Sequence, residues 1–293
     1  MVLSISSGVL SRRFGDFEAI RLYTKAGFDA VDLAMVDSVP GNAWGKSGQD
    51  EYIQELLHVA KECKTYFNQA HAEHIYNWDD PNVIENSVKP TVVNNIKCAA
   101  KLGIPHIIVH GLSHPAVNHS TEERRRVNLE FFNYLKPFAK DVGVKIALEN
   151  LKKVCTTPEE YEYMMDNLND DIFTACVDVG HSFYVGQDAA EIIRRLGHER
   201  VTALHIHDNQ GQADDHQMPG FGKINWNHIL EALADIDYSG DFNLEILEFI
   251  TGMLDAEHGY DDDFALDSMR IAEISGRYLK NKLERMIAER HKR

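Results

Sequence analysis

VTALHIHDNQGQADDHQMPGFGKINWNHILEALADI, residues 201–236, reads as a strand, a turn-rich loop and a helix in that order. In VTALHIHD (201–208), Thr202, Leu204 and Ile206 alternate with Ala203, His205 and His207, which is the two-residue period of an extended strand. NWNHILEALADI (225–236) places its apolar residues at helical spacing. The connecting HIHDNQGQADDHQMPGFG (205–222) contains three His, three Asp, three Gly and one Pro. Surface loops collect Asp and Gly, but three imidazoles at these spacings need a chemical reason. Pro219, Gly220 and Gly222 predict a loop that bends back toward the helix at Asn225.

The same unit recurs along the chain. Further strands are predicted at 2–6 (VLSIS), 30–35 (AVDLAM), 66–72 (YFNQAHA), 106–111 (HIIVHG), 145–150 (KIALEN), 173–179 (FTACVDV) and 242–247 (FNLEIL). Helices lie between them. DFEAIRLYTKAG has Asp16 as N-cap and Gly27 past its end, and ENSVKPTVVNNIKCAAKLG closes on Gly103. TEERRRVNLEFFNYLKPFAKDVG is acidic in its first turn and ends on Gly143, and TPEEYEYMMDNL has Thr157 as cap with Pro158 at the first helical position. DAAEIIRRLG follows the same pattern, and the last helix starts near Phe264 and runs past Lys282. Strand then helix, eight times over, predicts an α/β fold made of a single (β/α)₈ barrel, with residues 1–293 as one domain bearing a long C-terminal helix. A doubly wound sheet is the alternative, but SISSGVLSRRFG after the first strand is not GxGxxG.

The 293 residues are 44% hydrophobic and 26% charged, with a formal net charge of -16. Such a balance argues against nucleic-acid partners and against an anionic membrane surface. Cys63, Cys98, Cys155 and Cys176 form no CxxC pair, the N-terminus lacks secretory features, and no apolar run is long enough to span a bilayer. These features predict a cytoplasmic protein and leave homo-oligomer formation open.

Alternation also sorts the strand faces. Ile107 and Val109, Ile146 and Leu148, Ala175 and Val177, Leu204 and Ile206, and Leu244 and Ile246 should pack under the helices. His71, His110, Glu149, Asp178, His207 and Glu245 then point into the barrel near the carboxyl ends of six strands, where active sites of this architecture lie. Converging carboxylates repel unless protons or a cation neutralise them. Glu149, Asp178, His207 and Glu245 offer three carboxylates and one imidazole, a set suited to a divalent ion such as Mn²⁺, Zn²⁺, Co²⁺ or Mg²⁺. Asp214 and His216, spaced DxH on the loop, can turn to the same rim.

IALEN, CVDVGHS, HIHDN…DDHQMPGFGKINW and LEI, in this order, resemble the xylose isomerase-like TIM barrel superfamily, which includes sugar phosphate isomerases/epimerases, ketose 3-epimerases and the endonuclease IV type of AP endonuclease family 2. The resemblance implies one divalent metal held by Glu149, Asp178, His207 and Glu245. Likeness to the nuclease branch implies that His71, His110, His181, Asp214 and His216 bind further ions or substrate oxygens. Two positions depart from the ketose 3-epimerases, which show Glu where Cys155 stands and Arg where Ala213 stands, so a simple free ketohexose is not implied.

The reading is a metal-dependent sugar isomerase or epimerase acting on a small carbohydrate, sugar phosphate or polyol-derived substrate. Glu149 and Glu245 move protons through an enediolate, and His181 holds a substrate oxygen. A keto-polyol dehydratase uses the same equipment. A metal-dependent phosphodiesterase at abasic DNA and a non-catalytic barrel are the other readings; the acidic charge and the lack of a basic run near the mouth weigh against the nuclease. Weaker expectations place Trp44 over the substrate or on the rim, and Arg12 and Arg13 near a phosphate. His74, His106, His114 and His205 are read as supporting or core residues, and His119, His198, His228, His258 and His291 as surface residues.

Overall fold

Each of the eight expected strand segments forms a strand: β1 (Leu3–Ser6), β2 (Ala30–Ala34), β3 (Phe67–His71), β4 (His106–His110), β5 (Lys145–Glu149), β6 (Phe173–Asp178), β7 (Val201–His205) and β8 (Phe242–Leu244). The structure is a computed structural model and describes residues 1–74, 80–113, 119–246 and 262–292; His114 and His258 lie outside these. The strands pair in parallel in the order β7-β6-β5-β4-β3-β2-β1-β8. Just past β7, Ile206 bridges Leu244 and closes the ring: its N–H donates to the Asn243 carbonyl at 2.9 Å, and its carbonyl accepts from the Glu245 N–H at 3.0 Å. The fold is the (β/α)₈ TIM barrel that the alternation predicts.

The predicted faces hold. Ile107, Val109, Ile146, Leu148, Ala175, Val177, Leu204 and Ile206 join the main core shared with the outer helices. Their inward neighbours Ile108, Ala147, Cys176 and Ala203 form a separate small cluster inside the barrel. Large branched residues usually fill such a lumen. Here three of the four are Ala or Cys, and the β8–β3 side is polar. Ser4 donates to Asn243 at 2.8 Å, Asn68 donates to Ser4 at 3.0 Å, and both Gln69 and Asn243 donate to the buried Asp32 carboxylate at 3.1 Å. Small and polar side chains leave room above them for imidazoles.

Helix ends follow local chemistry. The Ser120, Thr157, Asp188 and Asn225 side chains each accept an N–H from the first turn of their helix, and Gly27 and Gly143 take left-handed conformations past helix ends. Two expectations are corrected. Asp16 is the first helical residue rather than the cap, and its carboxylate accepts from the Tyr52 hydroxyl. The helix Lys89–Lys101 follows a π-helical turn at Ile84–Val88. Pro90 supplies the reason, since it has no N–H to continue the α pattern backwards.

The long helix Asp262–Arg290 packs across β1 and β8. Gly276 sits where a Cβ would come within 2.8 Å of Leu244 and 2.9 Å of Leu3, so the missing side chain sets how near the helix lies. Arg277 binds Asp29 at 2.6 and 3.1 Å. No helix among the described residues is long and apolar enough to cross a membrane.

Enlarging the lumen cluster should be costly because nothing there can move aside. Ala203→Leu is expected to destabilise the fold by about 1–3 kcal/mol, read as a lower midpoint in thermal unfolding; an unchanged midpoint would show that the lumen has slack.

Candidate metal centre

The carboxyl ends of β3 to β8 deliver one continuous cluster of acids and imidazoles. Glu149 ends β5 and is buried. Its Oε2 lies 2.9 Å from His110 Nε2 and 3.3 Å from His71 Nε2, and its Oε1 lies 3.1 Å from His205 Nδ1 and 3.3 Å from His181 Nδ1. Burial alone would raise its pKa, but His205 and His110 hold it well below the usual carboxylate range. Glu245, one residue past β8, places Oε2 3.1 Å from the same His205 Nδ1. Asp178 ends β6 and caps the next helix by accepting the His181 N–H at 2.6 Å.

Three rings share one arrangement. His71 Nδ1 lies 2.8 Å from the Ala72 carbonyl, His181 Nδ1 lies 2.9 Å from the Asn150 carbonyl, and His216 Nδ1 lies 3.0 Å from the Glu245 carbonyl. A carbonyl only accepts, so each Nδ1 carries the proton and each Nε2 presents its lone pair to the cluster when neutral. Metal-binding histidines are oriented in this way. His181 Nε2 and His216 Nε2 meet Asp214 Oδ2 at 3.0 and 3.3 Å. Burial opposes charge on His216, yet Asp214 pushes its pKa up to about 9.

All nine residues expected to bind metal or substrate therefore meet in one place: His71, His110, Glu149, Asp178, His181, His207, Asp214, His216 and Glu245. The grouping differs from the expectation in one respect. Glu149, Asp178 and Glu245 can share an ion position with His205, whereas His207 groups with His181, Asp214 and His216. His207 Nε2 lies 3.0 Å from Asp178 Oδ1 and 3.8 Å from Asp214 Oδ1, so it joins the two groups. Register explains the difference: His205 is the partner of Asp178 across β6 and β7, and His207 comes two residues beyond, after the chain has left the strand.

Alternation alone could not rank His205 against His207, since both point inward. Asp32 was missed although the same signal marks it, between Val31 and Leu33. Asp208 was missed as well. Its buried carboxylate accepts N–H groups of Asn209, Gly220 and Ile224 at 3.0, 2.9 and 3.1 Å, and the Trp226 indole N–H at 3.0 Å. The loop between His207 and the helix Trp226–Asp235 is thus wrapped around one carboxylate. Gly222 touches it so closely that a Cβ would fall 2.2 Å from Asp208 Oδ1. His216 has φ 44°, a strained value for a non-glycine residue, held by Gln217 pairing with Asp208.

A cavity of about 460 Å³ opens onto the cluster, a usual size for a small-ligand site. His71, His110, Glu149, His181, Asp214, His216 and Glu245 form its polar end, and Val36, Val88, Val92, Leu112 and Phe131 line another part. Arg12 lines the cavity as expected, and so do Lys152 and Lys153, which follow β5 and were not singled out from the sequence. Arg13 instead reaches Asp262. Trp44 is buried edge-on against Tyr52, so it packs on the rim. His74 lines the cavity beside His71 and His110, while His198, His228 and His291 bond outside it. Cys155 is fully buried in the core and Ala213 is exposed, and neither lines the cavity.

The fold agrees with the comparisons with known proteins. The profile of the xylose isomerase-like TIM barrel family matches residues 20–266, and the chain belongs to that family. It is 28% identical to the uncharacterized protein y4fM of Sinorhizobium fredii over 66% of this chain and 62% of that one, so it spans less than two thirds of that relative's length. Among solved structures, D-psicose 3-epimerase in the presence of D-fructose superposes with a TM-score of 0.76 at 19% identity, covering 95% of this chain and 99% of that one. An IolI protein with a bound zinc atom gives 0.75 at 18% identity, covering 99% of both. At these identities the two structures establish the shared fold.

Gly180 tests the packing of the centre. A Cβ there would fall 1.9 Å from His207 Cε1. Gly180→Ala should displace the His207 ring and lower divalent-metal affinity by at least about tenfold, measured by competition with a chelating dye. Retained affinity would show that His207 is dispensable for binding.

Proposed function

We propose that the chain is a divalent-metal-dependent isomerase or epimerase of a small carbohydrate or polyol-derived α-hydroxy carbonyl compound. The observation that carries this reading is the pair Glu149 and Glu245, which approach one imidazole nitrogen from strands three apart and both line the cavity. The donor set fits a metal: three buried carboxylates and an imidazole lie within reach of one point, and buried Asp214 Oδ1 has no hydrogen-bond partner among the described residues. Glu149, Asp178, Glu245 and His205 would hold the ion, with His207 joining them to a second group of His181, Asp214 and His216. The metal is Mn²⁺, Zn²⁺, Co²⁺ or Mg²⁺, and zinc is the ion in the IolI structure. When bound, it supplies Lewis acidity that makes the carbon beside a carbonyl more acidic.

The chain's own groups do the rest. Glu149 and Glu245 flank the substrate position. One carboxylate removes a proton from the carbon, and the other returns a proton to the opposite face of the enediolate. His181 lines the cavity with its Nε2 toward Asp214 and holds a hydroxyl or carbonyl oxygen. The apolar wall excludes water from the carbanion-like intermediate. Dehydration next to the carbonyl needs the same first step, so a dehydratase differs only in what leaves afterwards. The unpaired cysteines fit a reducing compartment such as the cytoplasm.

The test is solvent-proton exchange. Metal-loaded protein incubated with keto-sugars and keto-polyols in D₂O should place deuterium on a carbon beside the carbonyl. Glu245→Gln should lower the exchange rate about 10²–10⁴-fold. Removing the ion with a chelator should stop exchange, and re-adding it should restore the rate. A Glu149→Ala, Glu245→Ala double variant that kept full metal content by elemental analysis would refute the ligand set. Arg12, Lys152 and Lys153 at the mouth keep a second reading worth testing, a phosphodiesterase at abasic DNA. Efficient incision of an abasic duplex, lost on His216→Ala, would replace the isomerase reading.

A further inference from the structure

Asp32 lies inside the barrel beneath the metal centre, fully buried on β2. One carboxylate oxygen, Oδ2, accepts from Gln69 and Asn243 at 3.1 Å each and lies 3.4 Å from the buried His205 Nε2, an ion-pair contact; neither Nε2 nor the other carboxylate oxygen makes a hydrogen bond among the described residues. A buried carboxylate is costly unless a charge or strong donors face it. His205 is its only ion-pair partner among the described residues. His205 is also fully buried, and its Nδ1 lies 3.1 Å from both Glu149 and Glu245. The ring therefore stands between the floor carboxylate and the metal-site carboxylates, one nitrogen toward each.

We propose that Asp32 is a positioning residue that holds the proton of His205 on Nε2 and so keeps Nδ1 available as a metal ligand. This rests on the reading that His205 binds the ion. A neutral imidazole carries one N–H, and only its bare nitrogen can ligate. Without Asp32, the proton can sit on Nδ1 between Glu149 and Glu245, where the carboxylates welcome it and the ion is excluded. A carboxylate behind the ring gives the proton a competing place on Nε2, which a cation held by Glu149 and Glu245 would favour, and raises the basicity of the ligating nitrogen. Asp32 does not line the cavity, so it acts through His205.

Two measurements separate this role from simple core packing. In metal-loaded wild-type protein, ¹⁵N-detected NMR of His205 should show the Nε2–H tautomer; an Nδ1–H tautomer overturns the proposal without any variant. Asp32→Asn should weaken metal binding about 10- to 100-fold in chelator competition, a usual loss for such a partner, and shift the His205 resonances. Asn243→Ala, which removes one donor from the same carboxylate, should cost thermal stability yet leave the tautomer in place. Asp32→Asn binding metal within about twofold of wild type, with an unchanged tautomer, overturns the proposal. His205→Ala must lower affinity at least as much as Asp32→Asn; if it does not, the ligand assignment falls and the proposal with it. Wild-type protein that binds no metal would instead sink the function reading itself.

Discussion

Several buried carboxylates converge on one side of a barrel lumen, and the rest of the site answers to that constraint. Glu149, Asp178 and Glu245 cannot all be ionised at such proximity without positive charge among them. Imidazoles stand among them. His205 is driven well above its ordinary pKa: burial opposes its charge, but Cys176, Glu245 and Glu149 favour it. His181 behaves likewise, chiefly through Asp178 and Asp214. At His205 and His181 the carboxylates therefore favour the charged ring, and a dication bound among the same carboxylates would displace those protons.

Accommodating such a cluster required an unusual lumen. Ala147, Cys176 and Ala203 give up volume, and Ser4, Asn68, Gln69 and Asn243 form a hydrogen-bonded floor in place of an apolar one. The loop after β7 solves a different problem. It must bring Asp214 and His216 back over the mouth, and it does so by donating three backbone N–H groups to Asp208, which also accepts the Trp226 indole N–H from the helix that follows. Rigidity of the loop therefore comes from a buried acid, and Pro219 and the glycines supply only the backbone freedom to reach it.

Much of this was legible in sequence because the strand period is two and each strand has one helix-covered face. That rule alone separated Ile146 and Leu148 from Glu149, and Val177 from Asp178, and it marked the six strand residues of the site; His181, Asp214 and His216 came from the loop spacing and the family resemblance. It failed where its answer was degenerate. His205 and His207 share a face, and their ranking depends on pairing with Asp178, a register that no single strand encodes. Asp32 carried the same alternation signal but sits on β2, away from the β5 to β8 carboxylates that drew attention. Arg12 was expected near the mouth, but Lys152 and Lys153 were missed because two lysines on the opposite side of the barrel form no long run. The π-turn at Ile84–Val88 needed only Pro90 to be weighed as a missing donor.

The closure of the barrel has a consequence in time. β1 pairs with β8, and Arg277 on the last helix binds Asp29 across 248 residues of chain. A ribosome delivers Glu149, Asp178 and His205 long before Glu245, and the open edge of β1 stays unpaired until β8 arrives. An emerging chain thus presents an incomplete ligand set and an exposed sheet edge together, the condition in which strands find wrong partners. Metal capture and edge protection are completed by the same segment, β8 and the Glu245 that follows it.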